Sequence, residues 1–217
     1  MSNPTAYLSP PTAYLLPNGE SLTTGEGPAL SLQVATVEGV VTLNRPDPEA
    51  PWVQTEHLLA DRHIGSLLME PGSGRLFAGA HAWGGLWVSD DGRGAAWRPL
   101  DQGLDRPHIC TLAARRLAGK VTLFLGASSA PLYRSEDLGE SWTEITSLLE
   151  VPDTDKWTFP PPPHIPHVKF INFHPGDPQT LFVGVEQGGL FKSTDDGESW
   201  TPIPILMSWP IVICTAC

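Results

Sequence analysis

The sequence is poor in basic residues, and this excludes two classes of partner. Its 217 residues include 13 Lys and Arg against 24 Asp and Glu, which gives a net charge of -11. Nucleic acids and anionic membrane surfaces bind proteins through basic faces, so neither is expected as a partner. A polar small molecule, a glycan or another protein remains as the expected ligand.

Cysteine and long apolar runs are also scarce. The three cysteines are too few for a disulfide scaffold. Cys110 lies in the apolar stretch HICTLAA, which indicates a small buried thiol, whereas Cys214 and Cys217 form a terminal C-x-x-C that lacks the context of a redox or lipidation motif. There is no run of 18 apolar residues and no secretory signal pattern at the N-terminus. These absences make the cytoplasm the expected location.

Proline and glycine are abundant, and they punctuate a repeat. The 23 Pro and 21 Gly make up about a fifth of the chain, which favours short strands and turns over long helices. Three copies of one pattern begin at His63, His108 and His167 and close at Trp97, Trp142 and Trp200. A degenerate copy with Trp52 in the closing position precedes them. Each copy contains four short β-rich runs, which is the pattern of a propeller blade.

The repeat predicts an all-β fold, a β-propeller of four-stranded blades of which about four are present. The predicted divisions are a disordered leader (1–29), blades at 30–60 (degenerate), 61–105, 106–163 and 164–204, and an atypical tail (205–217). The leader is expected to be disordered because it is rich in Pro, Ser and Thr and lacks apolar periodicity. The uncharged tail does not continue the repeat, so the propeller is expected to be incomplete or truncated, with blade edges open to self-association.

An acidic motif lies between the last two strands of each complete copy. The segments SEDLGESW from Ser135 and STDDGESW from Ser193 resemble the Asp-box, S-x-D-x-G-x-x-W, of the bacterial-neuraminidase (BNR) repeat. The copy from Ser89 has one extra residue. The resemblance implies a propeller of the sialidase and sortilin type, similar to bacterial BNR-repeat proteins described as glycosyl hydrolase-like. The residues assigned to structural boxes are Ser89, Asp91, Gly94 and Trp97; Ser135, Asp137, Gly139 and Trp142; and Ser193, Asp195, Gly197 and Trp200.

Strand direction places the boxes on one face of the propeller and the candidate ligand site on the other. The histidines that begin the innermost strands should meet at the mouth of the central channel, where loops between the second and third strands join them. The predicted ligand-binding residues are His63, His81, His108, His164, His167, Glu186, Trp157, Arg62 and Arg106. Imidazole and carboxylate suit zinc or similar ions, so a divalent metal held by His63, His108 and His167 is one hypothesis. The alternative is that each histidine only caps its blade by hydrogen bonding to backbone.

The sialidase catalytic set is missing from the sequence. The stretch before the first complete box has no Arg-Ile-Pro motif, and Tyr7, Tyr14 and Tyr133 do not suit a nucleophile. A glycosidase of another type would need two facing carboxylates, for which Glu186 with Asp61 or Asp105 are the candidates. We therefore expect a binding module that uses the histidine-rich face. A glycoside hydrolase-like enzyme and a truncated, inactive fragment are the alternatives.

Overall fold

The computed structural model describes residues 11–15, 21–82, 84–100, 102–104 and 108–204. These residues form four β-sheets, which follow one another along the chain. The first contains β1 (Thr12–Leu15), β2 (Ser21–Thr24), β3 (Ser31–Thr36), β4 (Gly39–Asn44) and β5 (Val53–Leu58). The second contains β6 (Ile64–Glu70), β7 (Arg75–Ala80), β8 (Gly85–Ser89) and β9 (Arg98–Pro99). The third contains β10 (Ile109–Leu117), β11 (Lys120–Ala127), β12 (Leu132–Ser135) and β13 (Thr143–Glu144), and the fourth β14 (Val168–His174), β15 (Asp177–Val185), β16 (Gly189–Ser193) and β17 (Thr201–Pro202).

The second to fourth sheets are up-and-down meanders, in which each strand pairs antiparallel with the next along the chain. Strands near the inner edge of successive sheets contact one another in sequence order: β3 contacts β6, β6 contacts β10, and β10 contacts β14. In a propeller, the first strands of neighbouring blades lie next to one another around the centre, and the later strands of each blade lie farther out. We call the four sheets the first to fourth blades. The all-β propeller fold with about four blades is confirmed.

Glycines in the second strand of a blade let the next blade approach closely. A Cβ added at Gly79 would lie 2.5 Å from Cγ2 of Ile109, and one added at Gly126 would lie 2.4 Å from Cγ1 of Val168. Phe77 and Phe124, two residues earlier in the same strands, are fully buried. The later residues of these strands, 76–80 and 123–127, are apolar and buried on both faces of the sheet, so the usual alternation of polar and apolar residues is lost there.

Two strands lie inside the stretch for which the sequence predicts a disordered leader. β1 pairs antiparallel with β2 and parallel with β3. Tyr14 is buried, and its hydroxyl lies 3.4 Å from the carbonyl oxygen of Gly92 in the second blade. A four-residue strand shows no periodicity of its own, but the open edge of β3 supplies backbone partners that order it. The predicted tail (205–217) lies outside the described residues.

The insertion between the third and fourth blades contains two short 3₁₀ helices, Thr146–Glu150 and Thr154–Lys156. Leu148 in the first of them is fully buried, so the insertion is anchored in the core between these blades. No helix among the described residues is long and apolar enough to cross a membrane.

Candidate functional site

The three acidic motifs form tight turns between the third and fourth strands of their blades. In the third blade Ser135 Oγ donates to Asp137 Oδ1 at 2.8 Å, and the amide of Gly139 donates to Ser135 Oγ at 2.8 Å. Ser141 donates to both oxygens of Asp137, from its amide at 2.9 Å and from its hydroxyl at 2.6 Å. Gly139 has a φ of 87°, a conformation that favours glycine. Both carboxylate oxygens are therefore engaged within the turn itself.

The fourth-blade turn repeats all four of these bonds, and the second-blade turn repeats the two that involve its leading serine. In the fourth blade, hydrogen bonds from Ser199 and Ser193 lower the pKa of Asp195 to about 2. In the second blade, the amide of Gly94 donates to Ser89 Oγ and to Asp91 Oδ1. The three closing tryptophans differ in burial: Trp142 is buried, whereas Trp97 and Trp200 are partly buried against the core.

Each turn is also tied to the blade before it. Arg75 of the second blade donates to the carbonyl oxygen of Leu138 at 3.0 Å and pairs with Glu140 at 2.8 Å. Arg115 of the third blade, with its side chain 5% exposed, makes a two-pronged ion pair with Asp196 in the fourth-blade turn. The acidic side chains of these turns are thus bonded within their own turn or blade or to arginines of the preceding blade.

At the opposite face, three blades repeat one backbone contact. The amides of His81, Ser128 and Glu186 donate to the carbonyl oxygens of His63, His108 and His167, at 2.8, 2.9 and 2.9 Å respectively. Each pair joins the residue after a second strand to the residue before the first strand of the same blade. The repeat therefore sets two equivalent positions per blade at the mouth of the channel.

Four histidine rings stack side by side at this mouth, and we call His63, His81, His108 and His167 the histidine stack. Ring centroids are 4.3 Å apart between His63 and His81, 4.2 Å between His81 and His108, and 5.3 Å between His108 and His167. Phe159 of the insertion meets His167 edge-on at 4.6 Å and closes that end of the stack. The leading histidines of the second to fourth blades therefore lie in one row, with His81 inserted between His63 and His108.

A third equivalent position comes from a β-bulge. In each of the three blades the pairing of the first two strands shifts by one residue two positions after the leading histidine, at Gly65, Cys110 and Lys169. Bulges redirect side chains next to functional sites. At Gly65 a Cβ would lie 2.1 Å from Nε2 of His81, so the missing side chain makes room for that ring.

In the fourth blade the bulge residue forms an ion pair, Lys169 with Glu186, which we call the charged pair. Lys169 Nζ lies 3.7 Å from Glu186 Oε2. Glu186 is 3% exposed, and its Oε2 accepts no hydrogen bond from the described protein; His167 is 7% exposed, and neither of its ring nitrogens has such a partner there. Buried polar atoms without partners are rare and costly, and they point to a ligand or water that satisfies them.

The histidine stack is held in its neutral form. Burial, followed by the charges of neighbouring rings and of Lys169, lowers the pKa of His81 to about 3. Burial and the charge of Lys169 lower the pKa of His108 and of His167 to about 4, and they also lower the pKa of His63. Neutral imidazoles offer a lone pair and an N–H each, which suits both hydrogen bonding and metal ligation.

Other predicted site residues lie outside the stack. Trp157 is buried against Phe191, with ring centroids 5.3 Å apart, so it offers little surface to a ligand. His164 is exposed, and its Nδ1 lies 2.8 Å from the carbonyl oxygen of Phe159 in the same loop. The guanidinium of Arg62 lies 4.2 Å above the ring of Trp87 and pairs with Asp61 at 3.5 Å. Arg106 and Asp105 fall outside the described residues.

The metal donors that converge differ from the predicted set. Among the described residues, the ligand atoms of His81, His108 and Cys110 all lie within 4.8 Å of one another. His63 and His167 occupy opposite ends of the stack, separated by two rings, which is why the predicted trio of His63, His108 and His167 does not converge. The sequence analysis missed Cys110 and Lys169. Their signal was their shared place two residues after the leading histidine of each copy.

Comparison with known proteins supports the fold. No family model matches the chain. A probable oligoxyloglucan-reducing end-specific xyloglucanase of Neosartorya fischeri is 31% identical over 83 residues, which are 38% of this chain and 9% of that protein. The match is therefore confined to a small part of a much longer relative.

Three solved structures resemble the chain over most of its length. An ancestral GH74 enzyme matches 83% of the chain at a TM-score of 0.53 and 16% identity. YCF48 bound to D1 peptide matches 85% at 0.55 and 18% identity, and YCF48 from Cyanidioschyzon merolae matches 85% at 0.55 and 13% identity. All are β-propellers, and the chain spans 23%, 50% and 60% of their respective lengths. At these identities the likeness is one of fold.

Proposed function

We propose that the chain is a BNR-type Asp-box propeller that binds a polypeptide segment at the mouth formed by the histidine stack and the charged pair. One observation carries the proposal: at this mouth, neither ring nitrogen of the buried His167 has a hydrogen-bond partner among the described residues, and Oε2 of the buried Glu186 has only its 3.7 Å ion pair with Lys169. A bound peptide has both N–H and C=O groups, so its backbone can satisfy imidazole nitrogens and a carboxylate together.

The chemistry of the mouth favours an uncharged segment. The histidine stack is neutral, and the positive charge of Lys169 is opposed by the carboxylate of Glu186. The edge of the Phe159 ring adds an apolar wall for a side chain. Peptide binding by a propeller of this shape has a precedent in the solved complex of YCF48 with D1 peptide. The box turns on the other face support the BNR assignment through their repeated Ser–Asp–Gly bonding.

A displayed library of random peptides tests this proposal. Selection should enrich a common motif, and a fluorescent peptide carrying that motif should bind the wild-type protein with a measurable Kd. His167→Ala and Lys169→Ala should each weaken binding by about tenfold or more, which corresponds to one lost hydrogen bond to a charged or buried group. Lys120→Ala, at the start of β11 on the opposite face, should bind like the wild type. An enriched peptide whose affinity is insensitive to both mouth variants, or the absence of any enriched motif, would refute the proposal.

A glycoside hydrolase is the second candidate, favoured by the 83-residue similarity to a xyloglucanase. Glu186 is its candidate catalytic carboxylate. However, Glu186 is almost fully buried beside Lys169, and Asp61 is exposed and paired with Arg62. A reducing-sugar assay with xyloglucan oligosaccharides separates the two functions. Turnover by the wild type that disappears in Glu186→Gln would favour the enzyme over the binding module.

A further inference from the structure

The geometry points to a metal site at the mouth, in which His81, His108 and Cys110 bind one zinc-class divalent ion through two imidazole nitrogens and a thiolate. These residues come from two adjacent blades. His81 follows β7 in the second blade, whereas His108 and Cys110 flank the start of β10 in the third. Repeat symmetry alone does not make the set, because the equivalent positions where the third and fourth blades meet hold Ser128, His167 and Lys169.

The separation of the donor atoms fits one ion after small rotations of the side chains. All three ligand atoms lie within 4.8 Å of one another. Zn–N bonds of about 2.0 Å and Zn–S bonds of about 2.3 Å place two donors of a tetrahedral ion roughly 3.3–3.6 Å apart. The required approach is on the order of 1 Å, within what χ rotations of a histidine and a cysteine supply.

The surroundings leave His81 and Cys110 able to reach the ion. The space above Gly65 is filled by the His81 ring, whose Nε2 would be 2.1 Å from a Cβ at that position. Cys110 is 8% exposed, and its Sγ lies 3.7 Å from the carbonyl oxygen of His108, the residue two positions before it. A buried thiol beside two imidazoles is the donor set that selects borderline ions over Mg²⁺ or Ca²⁺, which prefer oxygen.

A second observation marks the same place as incomplete. His167, next to His108 in the stack and 7% exposed, has no partner for either ring nitrogen within the described protein. Three protein ligands leave a fourth position on a tetrahedral ion. A water or a bound ligand would occupy that position. The positive charge of Lys169 is already paired with Glu186, so it does not stand unopposed beside the ion.

Titration with Co²⁺ and Zn²⁺ under reducing conditions tests the site. The chain also carries Cys214 and Cys217, so the measurement uses the full chain with Cys214→Ser and Cys217→Ser as the reference protein. After chelator treatment, one equivalent of Co²⁺ should produce a cobalt–thiolate charge-transfer band in the near ultraviolet. Zn²⁺ should abolish that band by competition.

Three variants and a control assign the ligands. Cys110→Ser should abolish the charge-transfer band, and His81→Gln and His108→Gln should each raise the Kd for Co²⁺ more than about 100-fold, since loss of even an outer-shell partner costs 10–100-fold. His174→Gln, at an exposed histidine away from the stack, should leave the Kd unchanged. Circular dichroism and a thermal melt establish that each variant is folded.

The results that would overturn the site are specific. A folded reference protein that shows no charge-transfer band at one equivalent of Co²⁺ excludes a thiolate ligand, and a band that survives in folded Cys110→Ser excludes this cysteine. If Cys110→Ser fails to fold, His81→Gln decides, because an unchanged Kd in that variant rejects the proposed set. The metal site does not rest on peptide binding, and the peptide measurement in chelator shows whether one proposal fails without the other.

Discussion

Asp196→Asn should destabilise the protein more than any change at an exposed ion pair. Arg115, 5% exposed, donates from Nη1 to Asp196 Oδ1 at 2.6 Å and from Nη2 to Oδ2 at 3.0 Å, and Nη1 also reaches the carbonyl oxygen of Pro178 at 2.8 Å. Removing one partner of a fully buried pair costs about 3–5 kcal/mol because the other charge stays buried. Asp196 is about one third exposed (33%) and Asn keeps one acceptor, so the expected loss is about 2 kcal/mol.

The choice of asparagine isolates the charge. Asp196 has a φ of 61°, a left-handed conformation that Asn tolerates and Ala does not, so backbone strain is unchanged. The free energy of unfolding is measured by urea titration, followed by tryptophan fluorescence and circular dichroism. Glu136→Gln is the matched control, because its pair with Lys120 at 2.6 Å is more than half exposed on both sides and should contribute less than about 1 kcal/mol.

A double variant adds a second check. In Arg115→Met with Asp196→Asn the buried charge is gone and an apolar chain fills its place, so part of the lost stability should return. If Asp196→Asn lowers the free energy of unfolding by no more than Glu136→Gln does, the joint between the third and fourth blades does not depend on this pair.

Three further changes test other parts of the structure. Gly126→Ala should cost about 1–3 kcal/mol by forcing Val168 away, whereas Gly176→Ala, whose Cβ meets nothing closer than 3.4 Å, should be tolerated in the same urea titration; equal effects would contradict the close packing of blades. Gly65→Ala should displace the ring of His81 and weaken Co²⁺ binding at least about tenfold without removing a ligand; an unchanged Kd would show that the ring is not confined there. In chelator, stability should fall as the pH drops from about 6.5 to about 4, because unfolding frees the histidine stack to take up protons that burial and the Lys169 charge keep off it. The loss is at most about 1.4 kcal/mol per pH unit for each ring, and equal urea midpoints at about pH 7 and about pH 5 would contradict it.

The blades and the acidic turns were predictable because both depend on residues close together in sequence. A hairpin turn joins strands that are neighbours in sequence. The residues that form the turn, Ser135, Asp137 and Gly139, therefore lie within five positions and predict it. The repeat then placed the leading histidines at equivalent points, and their meeting followed from the geometry of a propeller. His81 could be placed beside these histidines because the loops after the second strands are expected at the same mouth.

The rest depended on features that a strand pattern does not contain. The bulge that brings Cys110 and Lys169 into the site changes the register by one residue. Their shared position after the leading histidine is visible in the sequence, but HICTLAA and HVKFINF do not indicate the change of register. The burial of Trp157 depends on packing against Phe191, 34 positions later in the chain. β1 forms by pairing with the edge of β3, and the sequence of β1 alone does not indicate this pairing. Each of these depends on contacts between distant parts of the chain.

The propeller repeats three positions in the second to fourth blades, and the residues at those positions divide the mouth into two chemical halves. Where the second and third blades meet, they bring together neutral imidazoles and a thiol, the donors of a soft or borderline metal ion. In the fourth blade the same positions hold an imidazole whose ring nitrogens have no hydrogen-bond partner among the described residues and a lysine paired with a carboxylate, which suit a polar ligand. The backbone hydrogen bond between the leading histidine and the residue after the second strand is the same in all three blades. It therefore sets where these residues lie but not which side chains they carry. A substitution at a bulge or loop position should therefore change what the mouth binds while leaving the blades folded, and the contrast between Lys169→Ala and Gly126→Ala measures that separation.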